Sequence, residues 1–236
     1  MNDDRLIVAL DFPKLESALE LSKQLKGMVN FYKVGLELFL NTQGKIIDLL
    51  KQDNNRIFLD LKFHDIPNTV AQAAEWAASL GVDMFNVHAG GGEEMLRAAA
   101  DKTAEVFAKK GHKTTLIGVT VLTSFSEQAF KKMGFSQSIT AVAKEWASIC
   151  MDSGLDGVVC SPQEAREIKK MNGENFLTVC PGIRPVDSEL QDQKRIASPA
   201  GALENGADYL VIGRPITQAD EPQMVVKKIL EEMERF

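Results

Sequence analysis

Short apolar runs alternate with longer amphipathic stretches along the chain. Each short run is rich in β-branched or aromatic residues and ends in a charged, polar or glycine residue, which predicts a buried strand. The eight predicted strands are residues 6–11, 31–35, 57–62, 84–89, 116–122, 157–161, 177–181 and 209–213. The amphipathic stretches between them predict helices. These eight predicted helices are residues 15–27, 36–54, 68–80, 92–110, 139–153, 163–171, 199–205 and 222–236.

Proline and glycine mark the ends of several predicted helices. Pro199 and Pro222 stand where the first turn of a helix tolerates proline. Glycines stand where predicted helices stop. These glycines are Gly27, Gly81, Gly111 and Gly206.

Eight consecutive strand–helix units predict an α/β fold, a (β/α)₈ barrel that forms a single domain over residues 1–236. The sequence contains no linker, low-complexity tract or change of composition that would divide it. The alternative is an open doubly wound sheet. The glycine-rich fingerprint of that fold is missing, because Asp11-Phe12-Pro13 follows the first strand.

Composition and charge exclude several classes of partner. The 236 residues are 44% hydrophobic and 25% charged, which is typical of a globular domain. The net charge is −6 and no run of Lys or Arg occurs, so we expect no nucleic-acid partner. No stretch approaches the ~20 apolar residues of a membrane span, and the acidic start predicts no signal peptide. Three cysteines without a CxxC pair favour a cytoplasmic location.

The stretch Asp60-Leu61-Lys62-Phe63-His64-Asp65 carries unusual charge for the end of a strand. Alternate side chains of a strand point to the same face, so Asp60 and Lys62 are expected to project together. An exposed ion pair of little consequence is one interpretation. However, barrel enzymes place their chemistry at the carboxyl ends of the strands, which favours a functional one.

Other predicted strands also end in residues suited to chemistry. Asp11 ends the first strand, Asn86 and His88 lie near the end of the fourth, and Thr123 follows the fifth. Lys33 lies within the apolar run of the second strand. The alternating Lys33, Asp60 and Lys62 charges predict a network that could hold a proton donor in place.

The last two strand ends predict a phosphate site, which is common at this corner of a barrel. Gly213-Arg214 follows the last strand, where glycine lets backbone N–H groups approach an anion and arginine binds phosphate oxygens. Residues 183–196 form a long polar loop that could close as a lid, with Gln193 reaching a ligand.

A metal site is not predicted. His64, His88 and His112 lack the spacing of metal ligands. The Gly90-Gly91-Gly92 run could cradle a phosphate, but a flexible turn into the next helix is the simpler interpretation.

The ten residues 60–69, Asp-Leu-Lys-Phe-His-Asp-Ile-Pro-Asn-Thr, closely resemble the signature of the orotidine 5′-phosphate decarboxylase family, in its bacterial monofunctional form. The resemblance extends along nearly the whole chain. Its further segments are Val8-Ala9-Leu10-Asp11, Tyr32-Lys33-Val34-Gly35, Asn86-Val87-His88-Ala89, Val121-Leu122-Thr123-Ser124, Pro181-Gly182-Ile183-Arg184 and Ile212-Gly213-Arg214-Pro215.

The resemblance implies a homodimeric barrel enzyme without metal or organic cofactor, which converts orotidine 5′-phosphate to UMP in de novo pyrimidine synthesis. It implies that Lys62 donates a proton to C6 of the pyrimidine and that Asp60 lies beside the substrate carboxylate. Lys33 and Asp65 complete the charged network, with Asp65 contributed by the partner subunit.

The resemblance also implies the residues that bind the nucleotide. Asp11 and Lys33, with Thr69 from the partner, would hold the ribose, and Thr123 would contact the pyrimidine. The implied phosphate ligands are Gln193 and Arg214, assisted by Gly213 and Arg184. The rest of the signature would line the substrate, at Leu61, Phe63, His64, Ile66, Pro67 and Asn68.

Two alternatives remain open from the sequence. A sister decarboxylase or aldolase acting on a sugar phosphate would share the Asp-x-Lys-x-x-Asp core but use a metal to hold an enediolate. A non-catalytic sensor of phosphoribosyl ligands would need no proton donor, which the charged network argues against.

Overall fold

The computed structural model describes residues 3–185 and 197–234, whose eight strands close into a parallel barrel in sequential order. The predicted (β/α)₈ fold is therefore confirmed. The strands are β1 (Leu6–Ala9), β2 (Phe31–Gly35), β3 (Arg56–Phe63), β4 (Met84–His88), β5 (Thr115–Val119), β6 (Gly157–Val159), β7 (Leu177–Pro181) and β8 (Tyr209–Ile212).

Eleven α-helices and one 3₁₀ turn, Ala89–Gly91, connect the described strands. Pro199 and Pro222 occupy first helical turns, as predicted. The helices are α1 (Leu15–Gln24), α2 (Leu36–Thr42), α3 (Lys45–Gln52), α4 (Pro67–Ser79), α5 (Glu93–Lys110), α6 (Glu127–Lys132), α7 (Ile139–Asp152), α8 (Pro162–Asn172), α9 (Pro199–Glu204), α10 (Arg214–Thr217) and α11 (Pro222–Met233).

Three helical features differ from the prediction. The predicted helix 36–54 is divided into α2 and α3, because Gln43 and Gly44 adopt left-handed backbone conformations with φ of 51° and 77°. Glycine tolerates that conformation and ends a helix, so Gly44 was the available signal. Helices α6 and α10 are too short for the periodicity of apolar residues to have indicated them.

The barrel is packed on both faces of its strands. Eight apolar side chains fill the lumen, and a larger cluster lies between the strands and the surrounding helices. The lumen residues are Ile7, Ala9, Phe31, Phe58, Met84, Ile117, Val179 and Val211. Two residues further along three neighbouring strands, the same face carries polar groups, because side chains alternate with a period of two. These polar residues are Lys33 after Phe31, Asp60 after Phe58 and Asn86 after Met84.

A repeated Gly-x-Asp segment precedes β4, β6 and β8 at the amino-terminal end of the barrel. In each copy the glycine has a positive φ, and the aspartate carboxylate accepts a backbone N–H from the second residue of the preceding strand. The three segments are Gly81-Val82-Asp83, Gly154-Leu155-Asp156 and Gly206-Ala207-Asp208. The carboxylates thus join β3 to β4, β5 to β6 and β7 to β8 at the end of the barrel that carries no predicted chemistry.

Each of these aspartates also pairs with a cation, but the cations differ in burial. Lys169 lies 2.7 Å from Asp208 with a side chain only 7% exposed, whereas Lys113 lies 3.6 Å from Asp156 and is 70% exposed. The two aspartates themselves are equally exposed, at 30% and 31%. They therefore form a pair of equally exposed carboxylates that differ in the burial of the partner lysine and in one further hydrogen bond, which Asp208 accepts from Thr178 Oγ1.

In the part of the chain that the structure describes, no helix has the length and apolar character needed to cross a membrane.

We expect Asp208→Asn to lower the free energy of unfolding by about 3 kcal/mol, because it leaves the buried Lys169 ammonium without its counter-ion. Asp156→Asn should cost less than about 1 kcal/mol, since its exposed partner is solvated by water. Urea unfolding of both variants measures the difference. Equal losses would show that burial of the cation does not set the cost.

Candidate active site

The segment from Asp60 to Phe63 departs from regular strand geometry. The pairing of β3 with β4 runs regularly to Leu59, and its register then shifts before Phe63. Lys62 has a φ of 52°, in the left-handed region that costs a non-glycine residue about 1–2 kcal/mol. The predicted contact between Asp60 and Lys62 is present, but strand alternation alone does not produce it.

Asp60 is the centre of a four-residue ion network. Its Oδ1 lies 2.6 Å from Lys62 Nζ, and its Oδ2 lies 3.2 Å from Lys33 Nζ. Lys33 Nζ also donates to Asp11 Oδ1 at 2.8 Å. Asp11, Lys33, Asp60 and Lys62 therefore alternate in sign, as the sequence predicted.

Burial and charge act in opposite directions on the pKa values of this network. Burial alone would raise the pKa of Asp60, but the ammonium groups of Lys33 and Lys62 and hydrogen bonds from Lys62 and Asn86 lower it to about 2. Burial would lower the pKa of Lys33, but the Asp60 and Asp11 carboxylates raise it above its usual value. Asp60 and Lys33 are therefore both ionised at neutral pH.

Two cavities open beside the network, and Lys33, Asp60 and Lys62 line both of them. One, of about 210 Å³, is bounded mainly by apolar side chains and by Thr123 and Ser124. The other, of about 460 Å³, is more polar and includes Asp11 and His88. An ammonium held between an apolar and a polar cavity can deliver a proton to a ligand that spans the two.

The second half of the signature turns away from the network. Asp65 is exposed, and its Oδ1 accepts the backbone N–H of Ile66 at 2.7 Å. Among residues 3–185 and 197–234, Asp65 forms no ion pair, and its predicted contribution is to the network of the partner subunit. Asn68 and Thr69 are exposed as well, in the first turn of α4 that Pro67 begins.

The first half of the signature contributes side chains to the core and to the edge of the cavities. Leu61 and Phe63 are partly buried against the core between strands and helices. His64 is exposed, with its ring 5.3 Å from that of His88. Burial and the neighbouring charges of His64 and Lys62 lower the pKa of His88, with Asp60 opposing. His88 is therefore neutral at physiological pH.

The predicted phosphate residues lie at the ends of β7 and β8. A Cβ on Gly213 would stand 3.3 Å from Ala9 Cβ and 3.4 Å from Asp11 Oδ2, so the backbone passes close to β1. Arg214 begins α10. Arg184 is buried, and its guanidinium donates to the Ile183 carbonyl at 3.0 Å. Gln193 lies outside the described residues.

Asn86 is a site residue whose role the sequence did not reveal. It is fully buried on β4 and hydrogen-bonds both Asp60 and the backbone of Lys62. The available signal was a polar residue at a lumen position of an otherwise apolar strand, level with Asp60. Cys160, which lines the smaller cavity, is also buried and lies 3.9 Å from Cys180 Sγ to Sγ.

In the described portion of the chain, no group of three His, Cys, Asp or Glu side chains is arranged to hold a metal ion.

Fold and site together define a barrel enzyme whose lysine–carboxylate network occupies the carboxyl ends of the strands. The family model for the orotidine 5′-phosphate decarboxylase / HUMPS family matches residues 4–229. The chain belongs to this family.

Individual relatives agree with the family model. Orotidine 5′-phosphate decarboxylase of Nostoc sp. is 48% identical over 99% of this chain and 98% of its own length. That of Carboxydothermus hydrogenoformans is also 48% identical, over 98% and 96%. The crystal structure of orotidine 5′-phosphate decarboxylase from Lactobacillus acidophilus superposes with a TM-score of 0.84 at 36% identity, covering 98% of this chain and 99% of that one. The predicted family and enzyme class, a carboxy-lyase of pyrimidine biosynthesis, are confirmed.

We expect the acid stability of the protein to depend on Asp60. Its pKa of about 2 lies below the usual 3.8, so its stabilising contribution is present above pH 4 and is lost as the pH falls towards 2. The shift corresponds to about 2 kcal/mol.

Urea unfolding of the wild type and of Asp60→Asn between pH 5 and pH 2.5 tests this expectation. The stability difference between the two proteins should shrink as the pH falls. A difference that stays constant over this range would show that Asp60 does not titrate with folding.

Proposed function

We propose that the chain is a cytoplasmic, single-domain enzyme over residues 1–236 that decarboxylates orotidine 5′-phosphate to UMP, with Lys62 protonating C6 of the pyrimidine. The observation that carries this proposal is the Lys62 ammonium, which lies 2.6 Å from the buried Asp60 carboxylate at the edge of both cavities. A lysine so placed is fixed in position and remains close enough to solvent to regain its proton.

The chemistry requires electrostatic stabilisation. When the bond from C6 to the carboxylate breaks, CO₂ leaves and the electron pair remains on C6 in the plane of the ring, where the π system cannot delocalise it. Without a cofactor to accept the pair, a fixed positive charge must stabilise it. Lys62 supplies that charge and then transfers its proton to C6, and the neutral amine is reprotonated from water.

The nucleotide is held by groups on both sides of the network. Asp11 and Lys33 bind ribose hydroxyls from the larger cavity, and Thr123 contacts the pyrimidine from the smaller one. The phosphate ligands are Gln193, Arg184, Gly213 and Arg214. Because the phosphate is remote from C6, its binding energy can order the site without taking part in the bond change.

The functional unit is a homodimer in which Asp65 and Thr69 complete the site of the neighbouring subunit. Their exposure in one chain, and the separation of Asp65 from its own network, support this assignment. Ile66 between them is 66% exposed, and Leu36 and Leu40 on α2 are 55% and 61% exposed. Apolar side chains exposed to this extent are suited to a protein interface. The remaining signature residues line the substrate or support the residues that line it. They are Leu61, Phe63, His64, Pro67 and Asn68.

The proposal is tested by the loss of ultraviolet absorbance of the conjugated carboxylate during incubation with orotidine 5′-phosphate. We expect Lys62→Ala to reduce kcat more than about a thousandfold, since it removes both the stabilising charge and the proton donor. The variant should fold and bind UMP, because phosphate and ribose contacts remain. Lys170→Ala, which removes an exposed lysine on α8, serves as the control and should be fully active. Near-normal turnover by Lys62→Ala would overturn the proposed role of Lys62.

We expect decarboxylation to survive dialysis against EDTA, because the ammonium groups of Lys33 and Lys62 supply the charge that a metal would otherwise provide. The alternative left open by the sequence, an enzyme that uses a metal to act on a sugar phosphate, would lose its activity under this treatment. Loss of activity that added Mg²⁺ or Zn²⁺ restores would favour that alternative over the present proposal.

Subunit exchange tests the shared site. Lys62→Ala and Asp65→Ala dimers should each be inactive, whereas a mixed dimer contains one pocket with both defects and one intact pocket. Random exchange makes about half of the dimers mixed, so activity should rise towards about a quarter of the wild-type value. A mixture that remains as inactive as its parents would show that each barrel carries a complete site.

A further inference from the structure

We propose that Asn86 is a positioning residue, which sets the place of the Lys62 ammonium by holding both the Asp60 carboxylate and the Lys62 main chain. The inference rests on the proposed function, because it assigns Asn86 an effect on the same proton transfer. Asn86 lies on β4, beside the strand that carries Asp60 and Lys62, and it is fully buried.

The two hydrogen bonds of Asn86 fix its amide in one orientation. Its Nδ2 donates to Asp60 Oδ1 at 2.7 Å, and its Oδ1 accepts the Lys62 N–H at 2.8 Å. A carboxylate can only accept and a backbone N–H can only donate, so a single side chain must offer one donor and one acceptor. Asparagine meets this requirement, and neither aspartate nor a small apolar residue does.

The irregular backbone explains why Lys62 needs this acceptor. In a regular parallel ladder the N–H of a strand residue donates to a carbonyl of the neighbouring strand. The register shift between Leu59 and Phe63 interrupts that ladder at Lys62, whose φ is 52°. The Asn86 side chain takes the place of the carbonyl, so it supports the backbone conformation that directs the lysine.

The Asn86 amide also decides how the Asp60 carboxylate is shared. Asp60 Oδ1 receives both Asn86 Nδ2 and Lys62 Nζ, while Oδ2 faces Lys33. With the carboxylate held by a fixed neutral donor, the two ammonium groups occupy separate oxygens. Loss of that donor frees the carboxylate to rotate, and the Lys62 ammonium shifts with it.

Two variants separate positioning from general stability. Asn86→Ala removes both hydrogen bonds. Asn86→Asp keeps the size of the side chain and an acceptor for Lys62, but it loses the donor and places a second carboxylate beside Asp60. We expect each to lower kcat by about 10–100-fold, as displacements near 1 Å can do, with KM and the Kd for UMP changed less than about threefold.

Asp208→Asn is the matched control, since it weakens the fold at the opposite end of the barrel without contacting the site. It should retain kcat within about twofold. If Asn86→Ala does not fold, Asn86→Val carries the comparison, because it also removes both hydrogen bonds, leaves a smaller cavity than alanine and adds no charge beside Asp60.

The outcomes distinguish this inference from the proposed function. Suppose that the wild type is active and Lys62→Ala is inactive, but the Asn86 variants keep kcat within twofold of wild type. That result overturns the positioning role and leaves the proposed function intact. A fall in kcat matched by an equal weakening of UMP binding also overturns it. A wild-type protein that does not turn over orotidine 5′-phosphate overturns the proposed function and the positioning role together.

Discussion

The arrangement of the site depends on one carboxylate shared by two ammonium groups. Asp60 is buried, and an isolated ion in that position would be neutralised. Lys33 and Lys62 keep it charged, and it in turn keeps Lys33 charged in a site that would otherwise favour the neutral amine. Lys33 and Asp60 are both buried and depend on each other's charge, whereas Lys62 is 35% exposed and brings a second cation to the same carboxylate. The three side chains therefore form a single unit. The left-handed backbone at Lys62 is tolerated because this unit and Asn86 stabilise it.

The charged unit of Lys33, Asp60 and Lys62 lies at the opposite end of the barrel from a second set of charged contacts. At the amino-terminal ends of the strands, the Gly-x-Asp segments join neighbouring strands through carboxylates that accept backbone N–H groups. Above them, the apolar lumen fills the middle of the barrel. Only the next layer of inward-facing positions carries Lys33, Asp60 and Asn86. Substitutions at the amino-terminal end are therefore expected to change stability but not turnover, whereas substitutions in the network are expected to change turnover as well as stability.

The barrel could be predicted from the sequence because apolar runs and amphipathic stretches alternate regularly along the chain. Eight apolar runs separated by helices specify strand order in a parallel barrel without further detail, and the polar ends of those runs indicate the face that carries the site. The contact between Asp60 and Lys62 was predicted from alternation, yet the register shift and the positive φ that accompany it have no signature in residue type. The break at Gln43 and Gly44 was missed for a related reason, since amphipathic periodicity continues across a single turn of altered backbone. The sequence shows Asn86 as a polar residue in an apolar strand. Its hydrogen bonds to Asp60 and Lys62 depend on the register shift of the neighbouring strand β3, which the sequence does not show.

The signature segment itself is divided by its geometry. Asp60 and Lys62 face the interior of their own barrel, whereas Asp65 and Thr69 are exposed beyond the strand end. Among the described residues Asp65 forms no ion pair with the network, and Thr69 lies in the first turn of α4. In the proposed function the outward half acts on a nucleotide held by another barrel, and a two-fold dimer satisfies that requirement for both subunits at once. Ile66 lies between Asp65 and Thr69 in the sequence, and its apolar side chain is exposed. A subunit interface formed by this segment would bury that side chain, which agrees with the proposed dimer.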